Sequence, residues 1–519
     1  MYTIIYFLDY GETYGGAAHT LLQQARLVHH AGNSVHIFFS NYQGNKIDKE
    51  YQRIIEGYDF EVQMVSFQLS SQPEDIDVVC LKDHFADVLK TVQAYKPDLL
   101  HSVQLNPMAE LISRELNIPH IMNIYPLSQD FFKLKYLDIF PHYHICDSIY
   151  WAEQWHKYLN TDYTCIRTVA VKMSQQPKRE FGEELTCLCV GAIYSGKNQL
   201  EVIKGFQQAV AEGFHGRLLL YGLAEGTYAD HCREYIEENQ LDSYVHIMGF
   251  QSDMVSAYEK GDLLICGSSR ESYPNVVSEA MAHGLLVLST PVGGVPEVIC
   301  DGENGYLTEG MDADSISKGL IRIKDDICSG RVEVVRRKGY LTVDKLHAPN
   351  VVEQEIIGYY GHVLDDFKTY RNINKPTIND VIDRFYTSIG YFKNNITQFT
   401  NVREASLKLW YMEYIRDEIN QAIDSSKEFY VWGTGKLSKT VLEIISVFYD
   451  KIVIKGMIDS NRQGVYEKHK IYHPEEILSR KNVVVFVALY NGQWDVISIL
   501  DKYQKKYLVD YFILSQRAW

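Results

Sequence analysis

The chain has 519 residues, 46% of them apolar, with 51 Lys+Arg against 67 Asp+Glu and a net charge of −16. That length predicts about three or four domains, each large enough to bury a core, and excludes a small disulfide scaffold or a disordered regulator. The acidic balance, with no long Lys/Arg run, argues against a duplex-DNA or anionic-membrane surface, because both need clustered basic charge.

At the N-terminus, MYTIIYFLDYGE has no basic n-region and turns acidic at Asp9 and Glu12, so no signal peptide is expected. Ile4–Leu8 predicts a strand and a glycine turn follows. Leu21, Ala25 and Val28 then fall at helical spacing, Gly32 stops the helix, and Val35–Phe38 reads as the next strand. The rhythm repeats at Val62–Phe67, Leu99–Val103, His120–Ile124 and Tyr143–Cys146, which predicts a parallel sheet flanked by helices. After the polar stretch Ser174–Glu184 a second cycle gives strands at Thr186–Val190, Arg217–Tyr221, Val245–Met248, Leu263–Cys266 and Leu285–Ser289. Residues 350–368 read as a helix and 371–426 as a helical connector. A third α/β unit opens at Phe429–Trp432, with strands near Ile452–Ile458, Val483–Ala488 and Leu508–Leu514. The expected domains are therefore 1–174, 175–349, a helical 350–426 and 427–519. No apolar run approaches the roughly 18–20 residues that span a bilayer. The nine scattered cysteines, with no Cys-x-x-Cys, read as reduced core residues of a cytosolic protein.

The most informative stretch is GSSRESYPNVVSEAMAHGLLVLSTPVGGVPEVICDGENGYL, ending at Leu307. Pro274 and Asn275 are good helix-start residues and Gly284 a good stop. A short helix is thus expected to carry Glu279, with Glu271 in the loop before it. The backbone N–H groups of Asn275, Val276 and Val277 would then point out of a helix N-terminus, where partial positive charge suits a phosphate or a sugar hydroxyl. A glycosidase acid/base pair fits less well: eight helical steps would separate Glu271 and Glu279 by about 12 Å, against about 5–9.5 Å in such pairs.

These residues resemble the donor-site signature of retaining glycosyltransferases of family 4, which have the GT-B fold. Ser268, Glu271, Tyr273, Glu279 and Ala280–Gly284 meet the first part of the pattern. Gly293, Gly294, Glu297, Asp301, Gly302 and Gly305 meet the second. The resemblance covers about residues 1–370. It implies two Rossmann-like domains, with acceptor on the first and a nucleotide-diphosphate sugar, a UDP- or GDP-sugar, on the second. In the same family terms, Gly15 and Gly16 form the Gly-Gly loop before the first helix, and Lys197 in VGAIYSGKNQ neutralises the departing diphosphate. Gly249 and Phe250 in HIMGF meet the base. Glu271 with the backbone of Asn275, Val276 and Val277 fixes the sugar, and Glu279 holds the ribose. Glu271 and Lys197 are the residues expected to carry catalysis.

Two positions depart from the family pattern. Ala192 stands where an Arg commonly follows Gly191, and Tyr125 where a His commonly faces the reacting sugar. His101, in KPDLLHS, sits at a strand end and reads equally well as structural. No metal and no cofactor is implied: Asp312 and Asp314 precede a helical SISKGL and read as a cap, and Asp75 and Asp77 as solvated loop acids. Asn395-Ile396-Thr397 means little without an export signal. In the last unit Gly433, Gly435 and Asp459 form a partial dinucleotide fingerprint, with Ser438 at the third glycine position. Nucleotide binding there stands beside a non-binding module for assembly with a second copy or a partner protein.

The resulting expectation is a cytoplasmic retaining hexosyltransferase, at most peripheral at the inner membrane face, that acts on a glycan, lipid-linked or protein hydroxyl and contacts no nucleic acid. A catalytically weak GT-B subunit that supports a partner transferase is the alternative, and a nucleotide-sugar epimerase a third reading.

Overall fold

The computed structural model describes residues 1–8, 16–40, 56–57, 61–65, 78–103, 106–125, 140–156, 161–167, 181–182, 184–251, 254–370, 375, 377–380, 412, 416–425, 427–489, 493–506 and 509–514. In the first part, β1 (Thr3–Leu8), α1 (Gly16–His30), β2 (Ser34–Ser40), β3 (Glu61–Val65), α2 (Val78–Tyr95) and β4 (Leu99–Val103) are followed by α3 (Pro107–Leu116), β5 (His120–Ile124), β6 (Tyr143–Cys146), α4 (Ile149–His156) and β7 (Asp162–Cys165). The strands form one parallel sheet in the order β3-β2-β1-β4-β5-β6-β7. Ile4 to Leu8 are all fully buried, as expected of a central parallel strand covered on both faces.

The second part repeats the plan with β8 (Leu185–Val190), α5 (Gln199–Ala211), β9 (Gly216–Tyr221), α6 (Thr227–Glu238), β10 (Val245–Gly249), α7 (Val255–Lys260), β11 (Leu263–Cys266), α8 (Asn275–Ala282), β12 (Leu286–Ser289) and β13 (Tyr306–Leu307). Its sheet runs β10-β9-β8-β11-β12-β13, again parallel. In both sheets the strand order reverses beside the first strand, between β1 and β4 and between β8 and β11. That topology opens a crevice at the carboxyl ends of those strands. The fold is GT-B.

Helices α9 (Ala313–Cys328) and α10 (Val332–His347) close the second part, and α11 (Pro349–Tyr370) returns to the first. Val352, Ile356, Tyr360 and Val363 of α11 are buried in the same apolar cluster as Ile4, Leu21 and Val28. Asp312 caps α9, its carboxylate accepting from the Ser315 N–H at 3.0 Å, so the cap reading of that acid holds.

The last part comprises α12 (Arg416–Asp424), β14 (Glu428–Trp432), α13 (Lys436–Phe448), β15 (Ile454–Ile458), β16 (Gly464–Tyr466), β17 (His469–Tyr472), α14 (Pro474–Leu478), β18 (Val483–Val487), α15 (Gln493–Lys502) and β19 (Tyr511–Ile513). It forms a third sheet, β16-β17-β15-β14-β18-β19. The sheet is Rossmann-like with one addition the sequence reading did not contain: an edge hairpin in which β16 runs antiparallel to β17. Val431 and Phe486 of this sheet share one apolar cluster with Met412, Ile419 and, in the first part, Phe7, Ile112 and Met122.

The cysteine expectation needs a correction. Cys146, Cys187, Cys189, Cys232 and Cys266 are buried, but Cys300 and Cys328 are exposed and Cys165 is only half-buried. Cys300 sits in the turn after the Val295–Glu297 3-10 helix and Cys328 at the end of α9, where no layer covers them. The Cys80 side chain, Asp75, Asp77 and Asn395 lie outside the described residues. Among the described residues no helix is long and apolar enough to cross a membrane.

Candidate active site

Lys197 and Glu271 follow β8 and β11, the two neighbouring strands at the switch point of the second sheet. Chain topology therefore brings together residues 74 positions apart. After β8 the backbone turns at Gly191 (φ +141°). The turn packs so closely on Gly222 that a Cβ there would stand 2.0 Å from the Gly191 carbonyl oxygen. The Lys197 stem lies along the Gly191 backbone, its Cε 3.5 Å from where a Cβ would be. Lys197 Nζ donates to Glu271 Oε1, and Ser268 Oγ donates to the same oxygen at 2.7 Å. Burial opposes the Lys197 charge, but Glu271, Cys266 and Tyr194 outweigh it and hold the pKa above the ordinary lysine value. The lysine is thus a fixed cation.

The expected helix is present as α8, with Pro274 at the N-cap and no side chain capping it. One of the three donors is engaged: the Val277 N–H donates to the Pro274 carbonyl at 3.0 Å, because the first turn tightens into a three-residue hydrogen bond. Asn275 and Val276 remain as the donors expected from the sequence to face a ligand. Across the cleft, Gly16 opens α1, and a Cβ on it would lie 3.9 Å from Asn275 Nδ2. Two helix N-termini from two domains thus adjoin, and neither helix has an acidic residue in its first turn. Gly15 lies outside the described residues.

On α8, Glu279 Oε2 accepts from Tyr258 OH at 2.7 Å, and the Tyr258 ring stacks on His283 at 5.2 Å. Burial, then the Glu279 charge, pushes the Tyr258 phenol well up, so it stays protonated and donates. His19 on α1 was not singled out from the sequence. Burial lowers its pKa while the charge of Glu279 opposes the shift, so it lies in electrostatic reach of that carboxylate. Its position three residues after Gly16, on the first turn, is the only signal the sequence carried. Gly249 ends β10 at φ +77°, after a register irregularity, and the next residue, Phe250, is 62% exposed at the same sheet edge.

The two departures have clear local outcomes. Ala192 is exposed, and its carbonyl accepts from Gln199 Nε2 at 2.9 Å. The Arg270 guanidinium is held 4.8 Å over the Trp151 ring of the first domain. Tyr125 packs against the start of α1, its OH 3.4 Å from the Ala17 carbonyl. His101 belongs to the first domain's interior: its Nδ1 pairs with Tyr360 OH at 2.6 Å and its Nε2 with Asn123 Oδ1 at 2.9 Å. Burial depresses its pKa to about 3. A neutral imidazole there ties α11 to the first sheet, which is a structural role.

In the third sheet, Gly433 (φ +119°) approaches the Ala488 carbonyl so closely that a Cβ would stand 2.6 Å from it. The Asp459 carboxylate is already used: it accepts from Thr434 Oγ1 at 2.7 Å and from the Asn461 and Arg462 N–H groups at 2.9 and 3.1 Å. Tyr466 OH of the unforeseen hairpin donates to the Gly435 carbonyl at 2.7 Å. The acid that the partial fingerprint would place on a ribose closes its own turn in this structure. Among the described residues no cluster of His, Cys, Asp or Glu is arranged to hold a metal ion.

Between the domains, Asp147 is buried and accepts from Ser272 Oγ. Burial raises its pKa to about 7 from the ordinary 3.8. The folded protein therefore keeps a proton that the unfolded chain releases, and stability falls as pH rises through that window. Asp147→Asn is expected to unfold at the wild-type temperature near pH 4 and at a progressively higher one than wild type as pH approaches 7. A parallel thermal scan across that range checks it; equal profiles would remove the effect.

Residues 172–334 match the model of the family "Glycosyl transferases group 1". The N-acetyl-alpha-D-glucosaminyl L-malate synthase of Bacillus anthracis is 28% identical over 196 residues, 37% of this chain and 50% of that protein. The capsular polysaccharide biosynthesis glycosyltransferase CapM of Staphylococcus aureus is 25% identical over 177 residues, 34% of this chain and 46% of that protein. The matched segment thus spans about half the length of these curated relatives. The solved structure of Anabaena Alr3699/HepE in complex with UDP and glucose superposes with a TM-score of 0.57 at 17% identity, covering 70% of this chain and all of that one.

Proposed function

We propose that this chain, whose residues 172–334 match the glycosyl transferases group 1 model and whose fold is GT-B, moves a hexose from a nucleotide-diphosphate sugar to a hydroxyl of a bacterial glycan, lipid-linked or protein acceptor, with retention of configuration. One observation carries the reading. A fixed cation, Lys197, a carboxylate that it pairs with, Glu271, and the N-termini of α1 and α8 converge at one mouth between two domains. Transfer requires negative charge to build up on the departing diphosphate, and preorganised positive groups aimed at that charge lower the barrier. Lys197 and the N–H groups of Asn275 and Val276 supply them, while Glu271 accepts sugar hydroxyls and so fixes the ring against the acceptor. A UDP-sugar is the donor favoured by the likeness to a UDP-binding structure.

The test is release of free sugar from a panel of nucleotide sugars, with Glu271→Ala as control, since slow donor hydrolysis needs no known acceptor. Hydrolysis of one donor, lost in the variant, supports the reading; no cleavage of any donor overturns it. Glu279 is assigned to the ribose. Glu279→Ala is therefore expected to weaken UDP binding by about tenfold, the value of one charge-assisted hydrogen bond, with turnover at saturation little changed. Titration calorimetry measures it, and unchanged affinity would detach Glu279 from the nucleotide.

A further inference from the structure

The Glu271 loop is held from the other domain. Trp151 on α4 donates its indole N–H to the Glu271 carbonyl at 2.9 Å, and Ser272 Oγ donates to the Asp147 carboxyl just before α4. On the second domain, Gly293 and Gly294 press against the same loop: a Cβ on Gly293 would stand 2.0 Å from the Glu271 carbonyl oxygen, and the Gly294 N–H donates to Ser272 at 2.7 Å. Three residues on, Glu297 reaches across the cleft. Its carboxylate accepts from the Ile149 N–H at 3.0 Å and the Tyr150 N–H at 2.8 Å, the first free donors of α4, and pairs with Arg167 Nη2 at 2.5 Å. Arg167 in turn donates to the Asp147 carbonyl at 2.5 Å and lies 5.3 Å over the Tyr273 ring. A helix N-terminus is ordinarily capped from its own chain segment, and Ser148 Oγ does so for the Trp151 N–H at 3.3 Å; the Ile149 and Tyr150 amides are capped instead from the other domain, 148 and 147 residues away.

We infer that Glu297 and Trp151 are positioning residues: Glu297 latches the second domain onto α4, and the closed latch lets Trp151 set the Glu271 loop in place for transfer. The role rests on the proposed reaction, but the latch itself does not. When the domains part, the α4 amides lose their cap and the Glu271 carbonyl loses the indole. The Glu271 loop, held in its own domain by Lys197, Ser268 and Gly294, therefore gains its last hydrogen bonds only in the closed form, which excludes water from a half-assembled site. On the proposed reading Gly249, Phe250, Glu279 and Lys197, which meet the base, ribose and diphosphate, all lie on the second domain, so UDP is expected to bind in either form.

The experiment uses the full-length protein and three readouts: hydrogen exchange at the 149–150 amides, UDP affinity, and steady-state transfer. Glu297→Gln keeps the shape of the side chain and loses its charge. It is expected to speed exchange of both amides about tenfold and to lower kcat about tenfold, leaving UDP affinity as in the wild type. Trp151→Phe keeps the ring and loses the N–H. It is expected to lower kcat similarly while the 149–150 exchange stays as in the wild type. Wild-type exchange and kcat in both variants would overturn the proposal, as would a loss confined to UDP affinity. If the wild type turns over no donor yet Glu297→Gln frees the amides, the transfer reading fails and the latch stands.

Discussion

Lys197→Ala is expected to reduce turnover of the nucleotide sugar by about 10²–10³-fold, the usual effect of removing one preorganised electrostatic donor. Three features of the site set that size. The ammonium is a committed cation, since burial opposes the charge but Glu271, with Cys266 and Tyr194, outweighs it. It is also confined, because its stem runs along Gly191 and its side chain is only 23% exposed, so little reorganisation is needed when charge appears on the diphosphate. And Ala192 brings no second cation to the turn, which leaves Lys197 more of the work. The pair with Glu271 also explains a distinction between two variants. Without the lysine, Glu271 keeps its hydrogen bond from Ser268 and still holds sugar, so the loss falls on kcat. Without Glu271, the sugar is unfixed as well, and both kcat and KM suffer. Initial-rate kinetics on the identified donor measure this. Wild-type turnover in Lys197→Ala would remove the residue from the site.

Gly293→Ala is expected to have a large effect on stability. Gly293 has φ +53°, which costs an L-residue about 1–2 kcal/mol, and its Cβ would stand 2.0 Å from the Glu271 carbonyl oxygen and 2.8 Å from that of Ser272. Both neighbours are backbone, so no rotamer relieves the overlap. The expected destabilisation is about 3–4 kcal/mol, read as a lowered midpoint of thermal unfolding, with activity lost because the loop that must move carries Glu271. Gly32→Ala supplies the comparison: its φ is +85° but nothing lies within 4 Å of the added Cβ, so only the conformational part, about 1 kcal/mol, is expected. Equal effects at the two positions would show that the close approach at Gly293 does not govern the loop.

The two predictions concern residues of different legibility. Lys197 and Glu271 were named from the resemblance to the family-4 donor site, carried by VGAIYSGKNQ and by the signature around Ser268–Gly284; local pattern alone placed Glu271 in the loop before a Pro-Asn helix start. The reason Gly293 is a glycine was not readable, because the oxygen it must accommodate lies 22 residues earlier and arrives only when the second sheet is assembled. The same holds for Trp151 and Glu297. One is an indole on a short helix and the other an acid in a motif, and neither pattern indicates that they meet the same loop from opposite domains. In the last sheet, the glycines at 433 and 435 predicted a tight turn correctly, but the use of Asp459 depended on Thr434 and on the turn to Arg462. The β16–β17 hairpin went unseen because its short, polar strands lack the apolar run that marks a buried one.

What the sequence by itself determined was whatever depends on neighbours a few residues apart. The three cycles of strand and helix, the start of α8 at Asn275, the cap at Asp312 and the placing of Glu279 on a helix and Glu271 on a loop all follow from spacing, capping and chain reversal. Only the tertiary structure decided what depends on distant segments meeting. It engaged the Val277 N–H, turned His101 inward to Tyr360, closed Asp459 on its own turn and set Glu297 on α4. The physical reason is that a polar group's role is fixed by which partner satisfies it on burial, and in a doubly wound sheet that partner is brought by strand order, not by sequence proximity.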